Sequence, residues 1–273
     1  MRNLIKMDLY RLFRTKALKV GVIAAFAVAA AAMLLNYAIV EILKTSVAND
    51  PESAATMGML IPAVGWIKGV DFADIIITGT SALSLLISCV VAASFISTEQ
   101  TCGYVKNVIG QVPDRGYTVV SKFVATSVIH FIILAVYTLV NVLLAEMLFG
   151  KYIVAYSIEK LVGLMLTRLL LYIAINAVIL FLCILAKSQS LAMVIGAIFG
   201  TGITMIVYLV SSSVLGMLKI ELNVSNYMPD GINGTLSVGS IDSLYVKAIS
   251  VSVIFIVAFL AGSIAVVKNR DVR

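Results

Sequence analysis

Two ionisable side chains, Glu146 and Arg168, stand inside long apolar stretches of this 273-residue chain. A charge in hydrocarbon is costly, so each is a functional suspect by default. If the two stretches are antiparallel neighbours, both charges sit at similar depth and an ion pair is feasible. Arg168 is also long enough to snorkel to headgroups, and contact with a cargo is the third reading. His130 is the one histidine and lies in an apolar stretch, where an interhelical hydrogen bond or packing is the first expectation. Asn36, Asn141 and Asn176 read the same way, with lining of a pathway second. Gly196-x-x-x-Gly200 lets another backbone approach closely and reads as helix packing, a subunit interface included.

Enzymatic patterns are missing. The chain has no Gly-x-x-x-x-Gly-Lys-Ser/Thr to wrap phosphates, no His-Glu-x-x-His and no Gly-x-Ser-x-Gly. One imidazole cannot build a His-rich zinc site. Gly200–Thr201–Gly202 lies within an apolar run and carries no nucleotide signal. The three cysteines, Cys89, Cys102 and Cys183, form no disulfide framework, and two of them fall in apolar runs. Neither catalytic residues nor a cofactor or metal site is expected in this chain, and no nucleic-acid partner.

The most informative polar stretch runs from Phe95 to Lys122. It holds Glu99, then Gly103, Lys106, a short apolar patch of Val105, Val108 and Ile109, then Pro113, Arg115 and Lys122. A connector of this length is long for mere linkage. Gly103 and Pro113 delimit a helical turn or two whose apolar face is too small for a lipid anchor and suits a groove on a partner.

The elements that position these residues follow from composition. The chain is 61% hydrophobic and 12% charged, against about 45–50% and about 25% in soluble domains. Lipid must be the main solvent, which excludes disorder and an ordinary soluble enzyme. Six runs approach or exceed the roughly 20 apolar residues a crossing helix needs: 20–40, 75–96, 124–149, 161–185, 191–215 and 246–267. All four prolines lie outside them, so uninterrupted helices are expected. Of the 20 Lys and Arg residues, 13 fall on the side of the termini and 6 on the other, which puts both termini in the cytoplasm. Residues 1–19 read as an amphipathic interfacial helix, with Leu4, Ile5, Leu9, Leu12 and Phe13 at helical spacing and Arg2, Lys6 and Arg14 elsewhere. The expected architecture is one all-α polytopic domain over 1–273. It has six spans, long outer loops at 41–74 and 216–245, and a cytoplasmic segment at 97–123.

The order of residues from 95 to 122 resembles the permease subunits of type-2 ABC exporters, particularly the six-span subunits of bacterial peptide-antibiotic and bacteriocin-immunity exporters. Glu99, Gly103, Lys106, Pro113, Arg115 and Lys122 match that pattern, and Tyr104 stands where the family usually has threonine. The resemblance implies a coupling helix over this segment, seated on a separate cytoplasmic ATPase that would bind ATP and Mg. It further implies a second permease copy and a plasma-membrane location. Amphipathic or antimicrobial peptides, or other lipophilic molecules, would be the cargo, with Thr78, Thr80, Ser81 and Ser84 offering hydroxyl-bearing walls. Rival readings are an ion-gradient-driven secondary transporter, an intramembrane enzyme and a non-transporting scaffold or sensor.

Overall fold

A computed structural model describes residues 1–49, 81–101, 114–149, 158–186, 188–217, 222–236 and 242–269. Among these the regular structure is helical throughout. The apolar runs have no water to satisfy their backbone groups, so each closes its hydrogen bonds within itself. The elements are α1 (Arg2–Arg14), α2 (Lys16–Asn49), α3 (Ser81–Thr101), α4 (Gly116–Phe149) and α5 (Ile158–Ala186). They continue with α6 (Gln189–Thr201), α7 (Thr204–Met217), a 3-10 turn (Val224–Tyr227), α8 (Pro229–Thr235) and α9 (Asp242–Asn269).

Among the described residues, α2, α4, α5 and α9 are long and apolar enough to cross a membrane. The pair α6 and α7 makes a fifth crossing if the two count as one span, and α3 contributes a shorter apolar helix over Ala82–Thr98. The fold is that of an α-helical polytopic membrane protein.

The expectation of six uninterrupted helices fails at the fifth run. There α6 and α7 are bent by 68° at a break between Thr201 and Thr204. No proline is involved: Gly202 adopts φ 74°, a left-handed conformation that closes α6. Glycine takes this conformation without the Cβ clash that other residues meet, so it can end a helix inside an apolar run.

Helices α3, α4 and α5 form the centre. The α4 helix touches α1, α2, α3, α5 and α9, while α6 lies along α3 and α9 along α5. It begins at Gly116, ahead of the apolar run, because Asp114 Oδ1 accepts the Gly116 amide at 2.8 Å and caps the first turn. The same carboxylate meets Lys268 Nζ at 2.9 Å, tying the start of α4 to the last turn of α9.

At that end α1 also docks, separated from α2 by Thr15, whose extended backbone (φ −68°, ψ 139°) breaks the helix. The side of α1 expected on the bilayer is partly turned inward. Leu12 is fully buried with Leu18, Phe95 and Ala125, whereas Phe13 is 55% exposed. What turns the helix is Asp8, buried on the inner face, where Ser121 Oγ donates to its Oδ2 at 2.5 Å.

The opposite end is closed by part of the expected 216–245 loop. Ile232 and Leu236, within and just after α8, pack with Met33, Ala145, Leu164, Leu171 and Ala248, so this stretch seals the helix ends. Gly231 is required there, since a Cβ would overlap the Ser225 carbonyl oxygen.

Candidate functional site

A seam of polar side chains runs through the centre of the apolar bundle. On α5, Arg168, Tyr172 and Asn176 recur every four residues and so share one face. On α4, Thr126 and His130 have the same spacing, as do Ser84 and Ser88 on α3. All seven are buried. Away from water such groups must find partners on neighbouring helices, which makes the seam a register device as well as a chemical surface.

The pairs are specific. Ser84 Oγ and Tyr172 OH lie 2.8 Å apart, joining α3 to α5. Ser88 Oγ donates to the Leu85 carbonyl at 2.9 Å and lies 2.9 Å from His130 Nδ1. Ser88 accepts from the ring when Nδ1 carries the proton and donates to it when Nε2 does. That Nε2 has no hydrogen-bond partner among the described residues. The Tyr172 ring stands edge-on to the imidazole, 6.1 Å between centroids. Asn176 Nδ2 donates to Thr126 Oγ1 at 2.9 Å, while its Oδ1 is likewise unpartnered among the described residues. The seam therefore holds two buried polar atoms with no hydrogen-bond partner among the described residues, His130 Nε2 on α4 and Asn176 Oδ1 on α5.

Arg168 and Glu146 are not brought together. Arg168 is 2% exposed, and its Nη2 donates to the Leu236 carbonyl at 3.0 Å. Glu146 lies on an exposed face of α4 and forms no ion pair with it. The packing of α8 against α5 supplies a backbone acceptor for Nη2 from the sealing segment, while Nε is buried without a hydrogen-bond partner among the described residues.

Beside this contact, Asp230 of α8 is buried and accepts hydrogen bonds from Thr204 Oγ1 and from Tyr208 OH at 2.9 Å. The bend at Gly202 brings both hydroxyls of α7 onto that carboxylate. Sequence reading passed over Asp230, Thr204, Tyr208 and Tyr172. The four-residue spacing from Arg168 to Asn176 was the available signal for Tyr172.

Gly196 and Gly200 face α3. A Cβ on Gly196 would come within 2.8 Å of the Cys89 carbonyl oxygen, and one on Gly200 would overlap Leu86 Cα. This close approach lies within the chain. Cys89 and Cys183 are buried thiols that form no disulfide among the described residues.

In the 97–123 segment, Glu99 falls in the last turn of α3, Arg115 in the turn before α4, and Lys122 two turns into α4. Gly103, Val105, Lys106, Val108 and Ile109 lie outside the described residues, as do Cys102, Thr78 and Thr80. Ser84 is 1% exposed and bonded to Tyr172, so it is no cargo wall in this conformation. Among the described residues no group of three or more His, Cys, Asp or Glu is arranged to hold a metal. An apolar groove of about 350 Å³ opens between α4 and α5, lined by Phe131, Leu134, Leu139, Met165 and Leu166 among others. No family model matches the chain, and the comparison with curated proteins returns no match.

Proposed function

We propose that the chain is the membrane-spanning permease subunit of an ATP-driven exporter of the type-2 ABC class in a bacterial plasma membrane. It moves amphipathic peptides or other lipophilic cargo outward, paired with a second permease copy. ATP and Mg are bound by a separate cytoplasmic ATPase. The observation that carries this reading is the Glu99–Lys122 pattern in an apolar chain without a P-loop. In this reading α2 to α7 and α9 make six crossings, with α6 and α7 counted together, and both termini face the cytoplasm. Support comes from one end of the bundle. There α1, the start of α4 and the last turn of α9 gather through Asp8–Ser121 and Asp114–Lys268, at the described C-terminal part of the 97–123 segment. The α4–α5 groove is consistent with lipophilic cargo.

The test changes Val108 and Ile109 together to Asp. If both fill a groove on the ATPase, each contributes about 1.5–3 kcal/mol of burial. The double variant should insert normally but lose co-purification of the ATPase, or lose export. Normal assembly and normal export would overturn the coupling assignment.

One observation favours a second reading, an ion-gradient-driven secondary transporter: the break at Gly202 inside an apolar run, a feature of many such proteins. Gradient-driven uptake by proteoliposomes holding this chain alone would select it over the exporter.

A further inference from the structure

We propose that the outward face of α1 is a binding surface for anionic phospholipid headgroups. Arg2, Lys6 and Tyr10 recur every four residues, and Phe13 and Arg14 fall on the same face. All five are exposed, Tyr10 by 60% and Phe13 by 55%.

The opposite face is committed to protein. There Asp8 holds Ser121, Leu12 is enclosed, and the Arg11 guanidinium lies 4.8 Å from the centre of the Phe95 ring. Asp8 is the one carboxylate in the first 40 residues. Its burial leaves the outward face with three cationic groups and no carboxylate to neutralise them.

Basic groups beside a membrane are attracted to anionic lipid, and aromatic rings next to them settle at headgroup depth. Arg14 lies over the Tyr10 ring at 4.5 Å, which joins charge and ring into one amphipathic unit. The surface is also continuous with a wall suited to lipid. Exposed Lys16 and Lys19 lead into α2, whose Val20, Ile23 and Phe26 are exposed by 63%, 68% and 58%. An acidic protein groove would meet the same charges but would have no use for the adjoining apolar wall of α2. The surface does not depend on which cargo or energy source the chain uses.

The test places a reporter on this face. In the full-length chain, Trp66→Phe removes the single tryptophan and Tyr10→Trp introduces one on α1. The protein is reconstituted in phosphatidylcholine vesicles carrying a minor fraction of brominated phosphatidylglycerol or, separately, brominated phosphatidylcholine. Quenching by the brominated phosphatidylglycerol should exceed that by brominated phosphatidylcholine several-fold, and the excess should fall with salt. Adding Arg2→Gln, Lys6→Gln and Arg14→Gln should bring the two to parity, whereas Arg2→Lys with Arg14→Lys should keep the preference. Equal quenching by both lipids in the parent would overturn the proposal. So would no quenching by either, which would mean that water or a second copy of the chain meets the face.

Discussion

Arg168 Nη2 donates to the carbonyl oxygen of Leu236 at 3.0 Å, across 68 residues of sequence, and both residues are buried. A cation on a central helix thus holds the backbone of the segment that closes one end of the bundle. Replacing Arg168 by Met removes a charge-assisted hydrogen bond worth about 1.5–3 kcal/mol and should lower thermal stability in detergent accordingly. Glu146→Gln should be nearly silent, because Glu146 is exposed. A double-mutant cycle between the two should show no coupling beyond about 0.5 kcal/mol. Strong coupling would restore the ion pair.

The α3–α6 contact allows a packing test. Gly200→Ala places a methyl group onto Leu86 Cα, a backbone atom that cannot swing aside. Overpacking of this kind costs about 1–3 kcal/mol. Gly163 has nothing within 4 Å of its Cβ position, so Gly163→Ala serves as the control and should not destabilise. Equal melting temperatures for the two variants would contradict the close approach.

Asp230→Ala removes the acceptor of two hydroxyls, Thr204 and Tyr208. Stranding the buried Thr204 donor costs about 1–3 kcal/mol, and the half-buried Tyr208 hydroxyl adds less. The expected result is loosening of α8 from the bend: faster amide hydrogen exchange across 224–235 with little change in α4. Exchange rising equally in both regions would mean global unfolding and no local latch.

Asp114 offers a pH test outside the spans. The Gly116 amide first, and then the Lys268 ammonium, hold its carboxyl below the usual carboxylate range. A depressed folded value means that the stabilisation is present above the unfolded value, about 3.9. It is lost as pH falls through the folded one. The melting-temperature difference between wild type and Asp114→Asn should stay constant from neutral pH down to that region and close below it. A difference that widens on acidification would reverse the sign and refute the assignment.

The long apolar helices α2, α4, α5 and α9 were legible in the residue types alone, because a run of apolar residues without proline satisfies its backbone within itself as a helix. By contrast, α8 fell in an expected loop. The close packing of Gly196 and Gly200 was also legible, since a missing side chain has the same steric meaning wherever the neighbour comes from. Direction was not. In a lipid-solvated helix both the core face and the lipid face are apolar, so periodicity says little about which side turns inward. That choice fell to contacts between residues far apart in sequence. Asp8 meets Ser121, 113 residues on, and turns α1 so that its basic side faces out; Ser84 meets Tyr172, 88 residues on, and aligns the seam. The partner of Arg168 was hidden for the same reason, because a backbone carbonyl carries no signature in the sequence until α8 folds over it. Gly202 looked like any glycine in an apolar run. Only the packing of α7 onto Asp230 decided that the chain bends there.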